Sequence, residues 1–225
     1  MYLWWDPTFI LLIPVLILTV FAQARVSSTF KEFSRMRSSF GIDGAAFARR
    51  LLDKEGLYDV KIQKIRGNLT DHYDPRTKVI RLSESTYDKL SVAGIGVVAH
   101  EIGHAMQDNQ NYAPLRIRNK IFPVVNFSSS FSWIIFIVGL LLYSPVMVNI
   151  GIFLFTAVVA FSLITLPVEF NASNRAKKAL AEMGMPQNEI AGVKKVLGAA
   201  AMTYVASTAM ALVQLLRMIL ISGRR

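Results

Sequence analysis

Residues 100 to 104 read His-Glu-Ile-Gly-His, and His72 is the only other histidine among the three in the chain. On a helix, side chains four apart lie one above the other on one face. His100 and His104 can therefore aim two imidazole nitrogens at one ion while Glu101 leans over the same point. Neutral nitrogen donors suit zinc, and a carboxylate beside the metal can take a proton from its water and make hydroxide available near neutral pH. The chemistry implied is hydrolysis. The competing reading is a buried helix that merely packs two histidines.

A catalytic zinc commonly keeps three protein ligands and one open position. With no cysteine in the chain, the remaining ligand must be His, Asp or Glu. Glu169 is the leading candidate. Two apolar runs, 122–143 and 146–168, separate it from His104, and two membrane passes return a chain to the face it left. One crossing or three would put Glu169 on the wrong side. The alternative is that Glu169 only marks a membrane boundary. His72, beside a turn, is the other contender, as a ligand, an oxyanion donor or an ordinary surface residue.

The elements that must position these groups belong to a chain of 225 residues that is 53% hydrophobic, too apolar for an ordinary soluble domain. A lipid bilayer is the expected surrounding. The net charge of +10 is spread beside apolar runs rather than gathered into one block with aromatic platforms, which argues against nucleic acid and for anionic head groups. Residues 1–24 read as a first transmembrane helix, with Trp4 and Trp5 as an interfacial belt. Ala22-Gln23-Ala24 resembles a cleavage site, but Asp6 and the absence of Lys or Arg before the run favour an uncleaved anchor.

Residues 25–121 turn polar and read as a compact α+β domain. Asp43 can cap a helix through Phe47 and Leu52 that Gly56 stops, and a short strand follows at Val60, Ile62 and Ile65. Segments 69–73 and 78–83 flank the turn-former Asp74-Pro75-Arg76-Thr77, so a small sheet with a hairpin is expected. Ser91 can cap the helix carrying His100 and His104, which Asn109 and Asn111 end before Pro114. Gly94, Gly96 and Gly103 are costly inside a helix, and close packing of a neighbouring backbone is the expected reason. Residues 122–168 form a transmembrane hairpin broken at Ser144-Pro145, and 169–195 are polar and carry Glu169. Residues 196–225 are an apolar helix with Gln214 and Arg217 that either spans or lies against the others. The fold class is thus an α+β membrane protein with three to four transmembrane helices.

The segments Asp71-His72-Tyr73-Asp74-Pro75, Ala99-His100-Glu101-Ile102-Gly103-His104-Ala105-Met106-Gln107 and Pro167-Val168-Glu169-Phe170-Asn171-Ala172-Ser173 resemble the YugP-like bacterial membrane zinc metallopeptidases. The likeness covers nearly the whole chain. It is also similar to the HtpX-type membrane endopeptidases, which place a two-helix insertion between the zinc helix and a Glu-x-x-Ala-Asp element. The resemblance implies a small zincin-like catalytic domain and a gluzincin-like site. One Zn2+ per chain would be held by His100, His104 and Glu169, with Glu101 as general base. It implies a metalloprotease acting on proteins or peptides in or near the bilayer, multi-pass in the bacterial plasma membrane. In one departure, Ser173 stands where that element has Asp, a group that would orient a zinc-binding histidine, and Asn171 and Asn174 are the other candidates for that task.

The oxyanion needs a donor besides the metal, and His72, Tyr204 and Arg175 are candidates, Tyr204 serving equally well as a packed aromatic. Lys78, Val79, Ile80, Arg81 and Leu82 read either as an edge strand that pairs with an extended substrate or as an ordinary sheet strand. A membrane scaffold with a structural or degenerate zinc site is the alternative function, although such a site has no use for Glu101. Membrane-protein partners or a homo-oligomer fit either reading.

Basic clusters follow the first apolar run (Arg25, Lys31, Arg35, Arg37), precede the second (Arg116, Arg118, Lys120) and follow the third (Arg175, Lys177, Lys178). The opposite connectors have no Lys or Arg. The positive-inside rule then expects the catalytic domain in the cytoplasm, with only Arg224 and Arg225 dissenting if the last helix spans. In intact cells, an impermeant thiol reagent should label a cysteine placed at Ser144 and spare one at Ser39. The reverse pattern inverts the topology.

Overall fold

The computed structural model describes residues 7–223, so Trp4, Trp5, Asp6, Arg224 and Arg225 lie outside the described residues. A 3-10 turn over Pro7–Leu11 leads into α1 (Leu12–Ser34), followed by α2 (Gly44–Lys54), β1 (Lys61–Ile65), β2 (His72–Asp74), β3 (Val79–Ser83) and α3 (Val92–Asn109). Three long helices complete the chain: α4 (Ala113–Leu141), α5 (Pro145–Glu182) and α6 (Gln187–Ser222).

Local chemistry explains most boundaries. Asp43 accepts from the Ala46 amide at 2.8 Å and caps α2, while Gly56, at φ +71°, ends it. Ser91 caps α3 by accepting from the Gly94 amide at 3.1 Å. Asp74 accepts from Thr77 Oγ1 at 2.9 Å, the Arg76 amide at 3.0 Å and Arg81 at 3.1 Å, which ties the β2–β3 turn together. The Thr77 bond, helped by Arg81, holds the Asp74 carboxyl down to about 2. Leu69, at φ +55°, cannot continue a strand, so β2 is shorter than its sequence segment.

The sheet order corrects one expectation. β2 pairs antiparallel with β3 as a hairpin should, but β1 pairs parallel with the other side of β3, giving the order β1-β3-β2. Lys78 to Leu82 therefore do not form an edge. Val79, Ile80, Arg81 and Leu82 are hydrogen-bonded in the central strand, Lys78 just precedes it, and the edges are β1 and β2. Ile80 and Leu82 are fully buried, the pattern of an inner strand.

Four helices are long and apolar enough to cross a membrane: α1 with its preceding turn, α4, α5 and α6. The last apolar helix thus qualifies as well. α5 does not stop where its apolar run ends but carries on through Glu169, Asn171, Ser173 and Arg175, which places these residues along one helix.

The chain divides into two compact units. One comprises Ala24–Leu115 and Val168–Ala201, so that the chain rejoins it one residue before Glu169. Its core joins Phe47, Leu51 and Leu52 of α2, Ile80 and Leu82 of β3, Ile95, Val98 and Ile102 of α3, Leu180 of α5 and Val193 of α6. Glu189 accepts from Ser38 Oγ at 3.1 Å and the Ser39 amide at 3.0 Å, fastening the α1–α2 loop to the start of α6. The other unit comprises Met1–Gln23, Arg116–Pro167 and Met202–Arg225. Within its described residues, Phe136, Val148, Phe155, Val159 and Met218 pack together, and Gly139 and Gly151 let α4 and α5 approach closely. Ile10, Ile13, Ile17, Val20, Phe127 and Phe153 are exposed, as apolar side chains facing lipid are.

One close approach sets the first unit's geometry. A Cβ built on Gly103 would stand 2.6 Å from the Ala172 carbonyl oxygen, so α3 and α5 cross backbone against backbone. Gly96 instead faces the Val193 side chain, and Gly94 faces its own cap, Ser91. Gly103→Ala should force the helices apart and destabilise the protein by about 1–3 kcal/mol. Gly198→Ala, on α6 with open space around it, should be neutral or stabilise by up to about 1 kcal/mol. Thermal unfolding in detergent measures both, and equal effects would remove the special status of the crossing.

Candidate metal centre

The α3–α5 crossing presents His100 and His104 from one helix and Glu169 from the other. His100 Nε2 lies 3.3 Å and His104 Nε2 lies 3.6 Å from the same oxygen, Glu169 Oε2. The imidazole planes stand nearly perpendicular, at 84°, with centroids 4.8 Å apart. Two ligands bound at 2.0–2.1 Å around a tetrahedral zinc are about 3.3 Å apart, so these separations suit one small ion. Among the described residues, these three form the one group whose donor atoms, all within 4.8 Å of one another, could hold a metal. Glu169 is 3% exposed. Burial opposes a charge on His104, but the Glu169 carboxylate overrides it and lifts the pKa above the ordinary histidine value.

Each group has a partner behind it. Ser173 Oγ, where the resemblance expects Asp, lies 3.1 Å from His100 Nδ1. Gln107 Oε1 lies 3.0 Å from His104 Nδ1, and Gln107 Nε2 donates to the Val168 carbonyl at 2.8 Å and to Asn171 Oδ1 at 3.0 Å. Glu101, 8% exposed, accepts from the Tyr73 amide through Oε2 at 3.0 Å. The Tyr73 hydroxyl donates in turn to Asp108 at 2.9 Å. Burial, and then that carboxylate, push the Tyr73 phenol far above its ordinary value, so it stays a protonated donor.

The remaining candidates fall elsewhere. His72 is exposed, with Nδ1 2.9 Å from the Thr70 carbonyl, and is not a member of the donor group. Asn174 is exposed, while Asn171 joins the Gln107 network. Arg175 donates to Asn171 and Gln110. Tyr204 belongs to the other unit. Sequence reasoning did not single out Gln107, Tyr73 or Asp108. Gln107 carried a usable signal, since it sits three residues beyond His104 on the same helix face. Nothing local marks the Tyr73 amide, because its bond to Glu101 spans 28 residues of sequence.

A family model described as "Putative neutral zinc metallopeptidase" matches residues 8–223. "Putative membrane protease YugP" of Bacillus subtilis (strain 168) is 50% identical over 217 residues, covering 95% of this chain and 96% of that protein. No solved structure matches the chain.

Because Glu169 Oε2 lies within 3.6 Å of both imidazoles, Glu169→Ala should abolish stoichiometric zinc binding, whereas His72→Ala should keep it. Metal analysis of the purified variants decides, and zinc retained by Glu169→Ala but lost by His72→Ala would overturn the ligand set.

Proposed function

Since the chain belongs to the neutral zinc metallopeptidase family, we propose that it is a membrane-integrated zinc endopeptidase with His100, His104 and Glu169 as ligands and Glu101 as general base. The observation that carries this reading is the convergence of two imidazole nitrogens on one carboxylate oxygen at the spacing of a tetrahedral edge. A zinc ion held there supplies a Lewis acid that polarises the scissile carbonyl and lowers the pKa of its water.

The protein's own part begins at Glu101. Tyr73 fastens its Oε2, which leaves Oε1 to take the proton of the attacking water and later deliver it to the leaving amine. A purely structural metal site would gain nothing from a carboxylate held this way, which disfavours the scaffold alternative. An extended substrate is read by strand addition, and β2 takes this role in place of β3, because β2 is a sheet edge and its Tyr73 amide touches Glu101. The substrates are proteins or peptides in or close to the bilayer. The enzyme is multi-pass in the bacterial plasma membrane, and the distribution of the basic clusters supports a cytoplasmic zinc-binding unit by the positive-inside rule.

Glu101→Gln keeps an oxygen for the Tyr73 amide but loses the basic carboxylate. The variant should bind zinc at about one equivalent while casein cleavage falls by at least the roughly hundredfold typical of losing a general base. Wild-type turnover in Glu101→Gln would sink the mechanism.

A further inference from the structure

The two histidines of the metal centre are held by partners of different kinds. Ser173 presents a hydroxyl to His100 Nδ1 at 3.1 Å, and a hydroxyl can either donate or accept, so it leaves the proton of that imidazole undecided. His104 meets a chain of three side chains, Gln107, Asn171 and Arg175, that can be oriented in only one direction. Arg175 Nε donates to Asn171 Oδ1 at 2.7 Å, and because a guanidinium has donors and no acceptor, the Asn171 atom facing it must be the carbonyl oxygen. That same oxygen lies 3.0 Å from one end of the Gln107 amide, and the Val168 carbonyl lies 2.8 Å from it. Two acceptors surround that end, so it is the NH2 group. The other end is the carbonyl, and the atom 3.0 Å from it, His104 Nδ1, must carry a proton. Gln107 is fully buried, so a reversed amide would set its carbonyl against the Val168 carbonyl at the cost of a lost hydrogen bond. Arg175 is itself fastened, with Nη1 donating to Gln110 Oε1 at 2.6 Å and the guanidinium 6.0 Å over the Tyr112 ring.

The geometry points to Arg175 as a positioning residue that, alongside the Val168 carbonyl, acts through Asn171 and Gln107 to keep the proton on His104 Nδ1, leaving Nε2 free as a metal donor. The inference rests on the zinc reading above. It gives Arg175 a task other than oxyanion donation: its donor-only character is transmitted along α5 and across to α3 as the tautomer of a ligand. Groups of this kind typically change metal affinity by about ten- to hundredfold when removed.

The test is zinc affinity by chelator competition, measured on the full chain in detergent with thermal unfolding recorded alongside. Arg175→Met, which keeps length and loses the donors, should weaken zinc binding about tenfold or more. Arg175→Lys, still donor-only, should recover most of the loss. Asn171→Asp should bind zinc at least as tightly as wild type, because Asp still accepts from both neighbours, whereas Gln107→Glu should weaken it by setting an acceptor against two acceptors. The Asn171 and Gln107 variants decide the matter even if Arg175→Met does not fold. Unchanged affinity in Arg175→Met, or equal losses in Asn171→Asp and Gln107→Glu, would overturn the proposal. Loss of turnover with unchanged zinc affinity would do the same and return Arg175 to the substrate. If wild type binds zinc yet cleaves no peptide, the peptidase reading fails while the affinity series still judges the positioning role.

Discussion

The contact between Gly103 and the Ala172 carbonyl is the constraint on which the rest of the candidate metal centre depends. Two helices ordinarily pack 8–10 Å apart, with side chains between them. Where one presents a bare Cα to the other's carbonyl, the axes come closer, and short side chains can meet across the gap. Glu169 lies one turn before the crossing on α5, and His100 and His104 flank it on α3. A carboxylate is a short ligand with little reach, so an added separation of an ångström would take Oε2 out of the sphere that the two imidazole nitrogens define.

Burial then makes the polar neighbours of the site matter. Glu101, Gln107, Glu169 and Ser173 are all nearly inaccessible, and at such positions a misdirected donor or acceptor costs the full desolvation of the group. The hydrogen bonds around them run mostly between α3 and the stretch of α5 beyond its apolar run, with β2 reaching in through the Tyr73 amide. The sheet contributes position rather than bulk: its short outer strand sets one carboxylate while its central strand is buried in the core.

The other unit follows different physics. Its outer surface is apolar because lipid, not water, is its solvent, and small residues at Gly139 and Gly151 bring α4 and α5 together where no hydrophobic effect between helices exists. A charged side chain there is expensive unless accommodated. Arg217, only 9% exposed, donates to Thr8 Oγ1 at 3.1 Å and lies 3.8 Å over the Phe9 ring, which links α6 to the turn before α1.

Much of this was legible in the linear chain. The caps at Asp43 and Ser91, the stop at Gly56 and the apolar run lengths are local effects, decided by residues within one helical turn or by continuous hydropathy. The His-Glu-x-x-His spacing determines one face of one helix, and the parity of the hairpin singled out Glu169 without any contact being known. What lay beyond the sequence was every pairing across elements. The parallel docking of β1 on β3 makes β3 central, and no local pattern distinguishes an inner strand from an edge in so short a sheet. The partners of the site are likewise remote, with Gln107 and Asn171 separated by 64 residues and His100 and Ser173 by 73. Sequence determined which side chains could do chemistry, because that is a property of residue type and helical period. Only the tertiary structure decided which hydrogen bonds orient them, because that depends on backbones meeting within a few tenths of an ångström across a crossing that no single segment encodes.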